Sequence, residues 1–149
     1  MKIYLGCDHA GFSAKDEVID ILEQLNYNYE DLGAFELDEG DDYPIIAKKV
    51  SHKVIENENS YGILLCGTGT GMAIAANKVN GIRAVQGLDE YEAKRARTDE
   101  NANVLTLRSR EFDHKRYYGI IKGFFETQFS NEKRHIRRIH QLETIEKEN

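Results

Sequence analysis

The sequence predicts an α/β protein in which a parallel sheet of five strands is covered by helices on both faces. Short apolar runs alternate with amphipathic helical stretches along nearly the whole chain, a pattern typical of such sheets. The glycine-rich segment 67–71 separates the strongest apolar run from an alanine-rich helical stretch, as expected for a strand-loop-helix unit. With 149 residues, the chain fits one domain spanning positions 1–149.

Hydrophobic periodicity and turn signals place the elements in order along the chain. The expected strands are residues 2–8, 28–32, 61–66, 82–88 and 103–107. The expected helices are residues 12–25, 44–56, 71–80, 89–97, 114–128 and 132–149. Pro44 suits the first turn of its helix, where no amide donor is needed. The acidic segment 35–42 is expected to be a solvated loop.

The predicted C-terminal helix carries an apolar stripe on a highly charged background. Its apolar residues recur every three positions, at Ile136, Ile139, Leu142 and Ile145. Few packing partners are predicted for them within one chain. We therefore expect this helix to reach a second subunit.

Composition excludes several classes of function. A net charge of −6 makes the chain a poor candidate for binding nucleic acid or an anionic membrane. No apolar run approaches the ~18 residues of a membrane span. The two cysteines, Cys7 and Cys66, form no CxxC motif and no disulfide framework, so a cytoplasmic protein is expected. The five histidines lack metal-ligand spacing, and we expect no metal and no cofactor.

The segment 61–72, Tyr-Gly-Ile-Leu-Leu-Cys-Gly-Thr-Gly-Thr-Gly-Met, is the most informative stretch. It matches neither the dinucleotide motif GxGxxG, because Met72 stands at the last glycine, nor the P-loop. Glycines let backbone N–H groups approach an anion, and the start of the next helix adds its dipole. Cys66 lies where the strand meets this loop. A nucleophile or base beside an anion site is predicted; a tight turn without a ligand is the alternative.

The loops that follow parallel strands are expected to share one cleft, near the point where strand order reverses. These loops are residues 7–11, residues 66–71 and the segment after the fourth strand.

Two motifs, Gly6-Cys-Asp-His-Ala-Gly-Phe12 and Cys66-Gly-Thr-Gly-Thr-Gly-Met72, resemble those of type B ribose-5-phosphate isomerases, a family that includes the galactose-6-phosphate isomerase subunits. The resemblance covers the full length and continues in Asp42-Tyr-Pro44, Ala75-Ala-Asn-Lys-Val79, Gly81-Ile-Arg-Ala84, Asn103-Val-Leu105 and Arg134-His-Ile-Arg-Arg138. It implies a Rossmann-like three-layer fold and a metal-free aldose–ketose isomerase of phosphorylated sugars. It also implies a homodimer or tetramer with active sites shared between subunits.

The resemblance assigns roles to individual residues. Cys66 matches the catalytic base that moves a proton between C2 and C1, and Thr68 matches a hydroxyl that assists proton transfer between O1 and O2. A cysteine thiolate is a competent base where amides and a helix start favour its charge. The amides of the glycine-rich loop would hold the developing oxyanion; its implied binding residues are Gly67, Gly69, Thr70 and Gly71.

Substrate contacts are implied at the remaining matched positions. Asp8 corresponds to a residue that binds sugar hydroxyls and His9 to one near the sugar or its phosphate, while Asn103 joins the implied binding set. Arg134 and Arg138, four apart on one helical face, match phosphate-binding arginines. A third, Arg110, is expected from the other subunit. Without the resemblance, the two helical arginines would belong to a solvated basic face.

One departure from the family pattern affects the predicted chemistry. The family reads Arg-x-His-Asn-x-Ala-Asn, and this chain reads Arg97-Thr-Asp-Glu-Asn-Ala-Asn103. The histidine implied to open the sugar ring is Asp99 here, and Glu100 follows it. An aspartate side chain titrates near pH ~4 in the absence of perturbation, so Asp99 would act as the base that takes the O1 proton.

Three functions remain open from the sequence. The first is interconversion of ribose 5-phosphate and ribulose 5-phosphate. The second is isomerisation of a hexose 6-phosphate, such as galactose or allose 6-phosphate, by this chain alone or as one subunit of a pair. The third is a catalytically weak sugar-phosphate-binding protein. Cys7 is expected to be structural, although a redox pair with Cys66 is conceivable.

Overall fold

The computed structural model describes all 149 residues and confirms the predicted α/β architecture. Five strands form one sheet in which every neighbouring pair is parallel. The strands are β1 (Lys2–Cys7), β2 (Asn28–Asp31), β3 (Ser60–Cys66), β4 (Ala84–Gln86) and β5 (Val104–Arg108). Each lies within a residue or two of its predicted position, except β4, which is shorter at both ends.

Six helices connect or flank these strands. They are α1 (Lys15–Gln24), α2 (Tyr43–Glu56), α3 (Thr70–Ala76), α4 (Glu90–Glu100), α5 (Tyr117–Glu126) and α6 (Lys133–Glu148). Short 3₁₀ turns, Phe12–Ala14 and His114–Arg116, precede α1 and α5.

The strand order β2-β1-β3-β5-β4 determines which face each helix covers. The chain moves outward from β1 to β2, crosses back to β3, passes over β5 to reach β4 and then returns to β5. Right-handed crossovers place α1 and α4 on one face of the sheet and α2 and α3 on the other. The direction reverses between β1 and β3, where a ligand cleft is expected at the carboxyl ends of the strands.

Two apolar cores occupy the two faces. One packs Ile63 and Leu65 of β3 against residues of α1 and α5, including Val18 and Phe124. The other packs Leu64 and Cys66 against α2 and α3, including Val50 and Met72. Because side chains alternate along a strand, Cys66 faces the α2/α3 layer.

Helix α3 ends earlier than predicted. The side chain of Asn77 pairs with the backbone of Ala84, accepting from its N–H at 2.8 Å and donating to its carbonyl at 2.9 Å. Gly81, at φ +84°, then turns the chain toward β4. These contacts join the end of α3 to the start of β4, and the helical pattern of residues 77–80 becomes a set of turns.

Helix α6 buries few of its residues against its own chain, as its sequence predicts. His135 and Ile139 are its only buried residues, while Leu142 and Ile145 are exposed. Near the C-terminal end of the helix, the Glu146 carboxylate accepts hydrogen bonds from the N–H of Gly81 at 3.0 and 3.1 Å. None of the helices combines the length and apolarity that crossing a bilayer requires.

Gly11 provides a test of how closely the loop after β1 approaches β3. A Cβ built at this position would lie 2.5 Å from the backbone oxygen of Leu65. Gly11→Ala should therefore lower the free energy of unfolding by about 1–3 kcal/mol, because backbone has to shift. Urea unfolding measures this change. Gly40→Ala is the control, since that glycine is exposed and its Cβ would meet only a flexible Asp38 carboxylate at 3.3 Å; equal losses in the two variants would contradict the account.

Candidate active site

Cys66 ends β3 and faces the loop that follows it. Its side chain is buried, and its sulfur accepts a hydrogen bond from the N–H of Gly69 at 3.0 Å. Gly69 adopts φ +82°, a conformation that favours glycine and that turns its amide toward the sulfur. An N–H donor stabilises negative charge that develops on a thiol, so this geometry suits a proton-accepting cysteine.

The loop is held from β4 by a residue that the sequence did not identify. Gln86 donates from its side-chain nitrogen to the carbonyl of Thr68 at 2.9 Å and to the hydroxyl of Thr70 at 3.0 Å. The Thr68 hydroxyl accepts from the N–H of Thr70 at 3.3 Å and is exposed, so a bound ligand could reach it. Gln86 occupies the last position of β4. This position at a strand end is the only feature of the sequence that could have indicated its role in the loop.

Asp8 and His9 follow β1 and lie beside this loop. Asp8 is buried, and its carboxylate accepts from the N–H of Gly11 at 3.0 Å. Burial raises the pKa of Asp8, and the hydrogen bond from Gly11 opposes that effect. The Asp41 carboxylate accepts from the His9 backbone N–H at 3.1 Å and lies 2.6 Å from Nδ1 of the ring. This hydrogen bond raises the pKa of His9 and favours its cationic form.

Asp41 corrects the expectation that the acidic segment 35–42 is merely solvated. Its side chain is only 15% exposed, and its second oxygen, Oδ2, is buried without a hydrogen-bond partner. One carboxylate oxygen of Asp8, one ring nitrogen of His9 and one carboxylate oxygen of Asp41 all lie within 4.8 Å of one another. Solvation does describe Phe35 and Leu37, which are exposed. Composition alone could not show which carboxylate of the segment turns inward.

Arg110 and Ser109, which follow β5, complete this cluster of loops. The Arg110 backbone donates to the Gly67 carbonyl at 3.0 Å, and its guanidinium lies over Gly67. The Ser109 hydroxyl donates to the carbonyl of Ala10 and lies 3.1 Å from the carbonyl of Cys66. The sequence missed Ser109, although it directly precedes an implicated arginine. Arg110 therefore lies beside the Cys66 loop of its own chain, which differs from the expectation that the other subunit supplies it.

Three other predicted site residues lie at the opposite edge of the sheet. Asp99 is in the last turn of α4, which runs back to the start of β5. Arg134 and Arg138 are on α6, exposed, and Arg134 pairs with Glu132 at 2.8 Å. The seven residues of β3 separate the edges by roughly 20 Å along the strand. One chain therefore does not bring these groups to Cys66.

The side chain of Asn103 is engaged by the backbone of the segment that leads into β4, at the edge of the sheet opposite Cys66. Its side-chain oxygen accepts from the N–H of Arg83 at 2.8 Å, and its nitrogen donates to the Gly81 carbonyl at 2.8 Å. These contacts join the chain segments that lead into β4 and β5. The contacts give Asn103 a structural role at the amino edge of the sheet, and its assignment as a substrate ligand stays a prediction.

Cys7 and Cys66 cannot form a redox pair in this fold. Cys7 pairs in register with Leu65, so its side chain lies on the α1/α5 face of the sheet, opposite Cys66. Burial raises the pKa of Cys7 to about 11, which leaves it protonated and unreactive at neutral pH. Both cysteines are free thiols, as expected.

The whole pattern of loops and strands recurs in known proteins. The sequence profile described as Ribose/Galactose Isomerase matches residues 3–142. The chain belongs to this family. It is 41% identical over 130 residues to a ribose-5-P isomerase B of Listeria innocua, with 87% of each chain covered. It is also 38% identical to a D-erythrulose-4-phosphate isomerase of Pectobacterium atrosepticum, covering 87% of this chain and 85% of that one.

The same family includes a closely matching solved structure. The crystal structure of ribose-5-phosphate isomerase B from Mycoplasma genitalium with bound ribulose 5-phosphate has a TM-score of 0.93 and 39% identity. The match covers 99% of this chain and 97% of that chain. The isomerase fold predicted from the sequence is thus confirmed by both comparisons.

The Asp41–His9 pair generates a pH-dependent prediction. Because the Asp41 carboxylate raises the pKa of His9, the imidazole keeps its charge to higher pH than a free histidine would. Asp41→Asn should lower that pKa toward the ordinary ~6.5, as followed by an NMR titration of His9. Asp38→Asn, an exposed change in the same loop, should leave the titration unaltered. An unchanged titration in Asp41→Asn would show that the pair does not control the charge.

Proposed function

We propose that this protein is an aldose–ketose isomerase that interconverts ribose 5-phosphate and ribulose 5-phosphate, with residues 1–149 forming one sugar-phosphate isomerase domain. The observation that carries the proposal is the Cys66 thiol, which is buried at a strand end and faces the Gly69 N–H at 3.0 Å. The loops of Asp8, His9 and Arg110 surround it. Family membership and the relative with bound ribulose 5-phosphate support this substrate.

Cys66 carries the proton transfer between C2 and C1. Its thiolate takes the C2 proton of open-chain ribose 5-phosphate, which leaves an enediolate, and returns that proton to C1 to give the ketose. The Thr68 hydroxyl moves a proton between O1 and O2. The loop amides of Gly67, Thr70 and Gly71 stabilise the developing oxyanion. The reaction is internally balanced and consumes no co-reactant.

The substrate phosphate is held by cations from two directions. His9, whose cationic form is favoured by Asp41, and Arg110 approach it from the chain that supplies Cys66. Arg134 and Arg138 approach it from α6 of a second copy, since one face of a helix presents both guanidinium groups. Asp8 contacts the sugar hydroxyls.

The positions of these groups support a homodimer with shared sites. Cys66 lies at the carboxyl edge of the sheet, and Asp99, Arg134 and Arg138 lie at the amino edge. A second copy that runs antiparallel would place its α6 arginines at the first copy's Cys66 loop, and its exposed Leu142 and Ile145 would be covered. Pairing of two such dimers would give a tetramer. We infer a cytoplasmic location, because Cys66 has to remain a free thiol.

Replacement of the thiol tests the reaction. Wild-type protein should convert ribose 5-phosphate, and Cys66→Ala should lower kcat by about 10²–10⁴-fold, because no other group is placed to move the C2 proton. Binding of the sugar phosphate should persist. Turnover is followed by ketose formation and binding by calorimetry. Cys7→Ser, a change on the opposite face of the sheet, serves as the control; retained turnover in Cys66→Ala would remove the thiol from the mechanism.

Mixed assemblies test the shared site. Arg134→Ala should raise KM for ribose 5-phosphate much more than it lowers kcat, because a phosphate ligand is lost. Co-refolding Cys66→Ala and Arg134→Ala chains should restore normal KM in about a quarter of the sites, since half of the dimers would contain one intact site. Lys147→Ala, on the last turn of α6, is the control for Arg134. Absence of complementation would mean that one chain supplies the whole site.

A second substrate is favoured by the presence of Asp99 and by the erythrulose-phosphate isomerase among the relatives. A four-carbon sugar phosphorylated at O4 cannot close a furanose ring, so its isomerisation needs no ring-opening imidazole. A panel of erythrulose 4-phosphate, ribose 5-phosphate, allose 6-phosphate and galactose 6-phosphate separates the candidates. Preference for the four-carbon sugar would assign the altered segment 97–103 to a change of substrate; activity on hexoses alone would favour the six-carbon function.

A further inference from the structure

The environment of the Asp99 carboxylate is unusual for a residue near the protein surface. Its Oδ2 pairs with the Arg95 guanidinium at 2.7 Å. Its other oxygen, Oδ1, is buried and accepts no hydrogen bond. The Nε2 atom of His135 lies 3.9 Å from that oxygen. A buried carboxylate oxygen without a partner is costly, and here an imidazole faces it.

His135 is fixed in place by a short chain of hydrogen bonds. It is one of the two buried residues of α6, and its Nδ1 lies 2.7 Å from the Ser130 hydroxyl. The backbone N–H of Ser130 donates to the carbonyl of Thr98 at 3.0 Å. Because Thr98 directly precedes Asp99, these contacts close a ring that joins the start of α6 to the end of α4.

The same contacts allow hydrogen to lie on the ring nitrogen of His135 that faces Asp99. The Ser130 hydroxyl already accepts from the backbone N–H of Glu132 at 3.2 Å, which leaves its own proton free to be donated to Nδ1. When the hydroxyl donates to Nδ1, the neutral imidazole carries its hydrogen on Nε2, and the imidazolium carries hydrogen there too. In both forms an N–H faces Oδ1 of Asp99, so the two groups attract.

We propose that His135 is a positioning residue that holds Asp99 for the opening of the furanose ring of ribose 5-phosphate; this inference rests on the proposed function. His135 faces Oδ1 and Arg95 pairs with Oδ2, so the two groups together set the orientation of the Asp99 carboxylate toward the active site of the second copy.

In that position Asp99 takes the proton of the O1 hydroxyl as the C1–O4 bond breaks, and then returns it to O4. The O1–H and C1–O4 bonds are lost, the C1=O1 double bond and the O4–H bond form, and the enzyme ends unchanged. The ring-opened aldose is the form from which Cys66 takes the C2 proton.

Ring opening is separated from the later proton transfer by assaying ribose 5-phosphate and ribulose 5-phosphate as alternative starting substrates. Ribulose 5-phosphate cannot form a furanose, because its O5 carries the phosphate, so proton exchange at its C1 with deuterated solvent needs Cys66 but no ring opening. His135→Asn should lower kcat for ribose 5-phosphate by about 10–100-fold, as small misplacements of a reacting group do. Its rate and KM for C1 exchange in ribulose 5-phosphate should stay within about twofold. Equal losses in both assays would mean that His135 only supports α6 and its arginines, and would overturn the proposal.

Two further variants sharpen the test. In an Asp99→His background the ring-opening group carries its own imidazole, so adding His135→Asn should change kcat for ribose 5-phosphate by less than about threefold. Ser130→Ala, which frees Nδ1, should reproduce part of the His135→Asn loss. His140→Asn is the matched control, an exposed histidine on the same helix. A His135→Asn loss of the same size in both backgrounds would contradict a role through Asp99.

A spectroscopic readout separates this inference from the proposed function. The ¹⁵N chemical shift of His135 Nε2 should change in Asp99→Asn and stay constant in Glu100→Gln; no change in Asp99→Asn would overturn the pairing. A wild-type protein that neither converts ribose 5-phosphate nor exchanges the C1 proton of ribulose 5-phosphate would refute the proposed function. If the wild type performs both reactions while His135→Asn matches it in both, only the present inference fails.

Discussion

The site depends on the parallel orientation of β1, β3 and β5, because parallel strands end at the same edge of the sheet. Ser109 links the ends of these strands, since its hydroxyl contacts the carbonyls of Ala10 and Cys66. Gly11 lets the first loop approach β3 closely, where a side chain would meet the Leu65 carbonyl. The thiol, the Asp8 carboxylate and the His9 imidazole are therefore placed by backbone geometry before any substrate binds.

Periodicity predicted all five strands and six helices, because each element carries its own local pattern. The errors occur where contacts between residues distant in sequence determine the local structure. Asn77 ends α3 by pairing with Ala84, a contact seven positions away that no helical pattern contains. Asp41 turns inward because His9, 32 positions earlier, is held beside it by the sheet. Neither contact is visible in composition or in the spacing of apolar residues.

Only part of the candidate site was predictable for a related reason. Strand order places the loops of Asp8, His9, Cys66 and Arg110 together. The family resemblance identified each of these residues but assigned Arg110 to the other subunit. Asp99 was assigned to the same site, but α4 runs antiparallel to the strands and carries it to the far edge. Arg134 and Arg138 are on a helix that starts there too. A sequence motif can identify a substrate-binding residue, but it does not show which copy of the chain supplies that residue to a given site.

In the proposed shared site, the catalytic groups are divided between the two edges of the sheet, so activity would be a property of association. A protomer that places its thiol some 20 Å from its arginines would have no complete site when alone. Specific activity would then fall on dilution below the dissociation constant of the dimer, and substrate that bridges two copies would stabilise the assembly by mass action. Expression level would thus affect not only how many sites exist but also what fraction of them is complete.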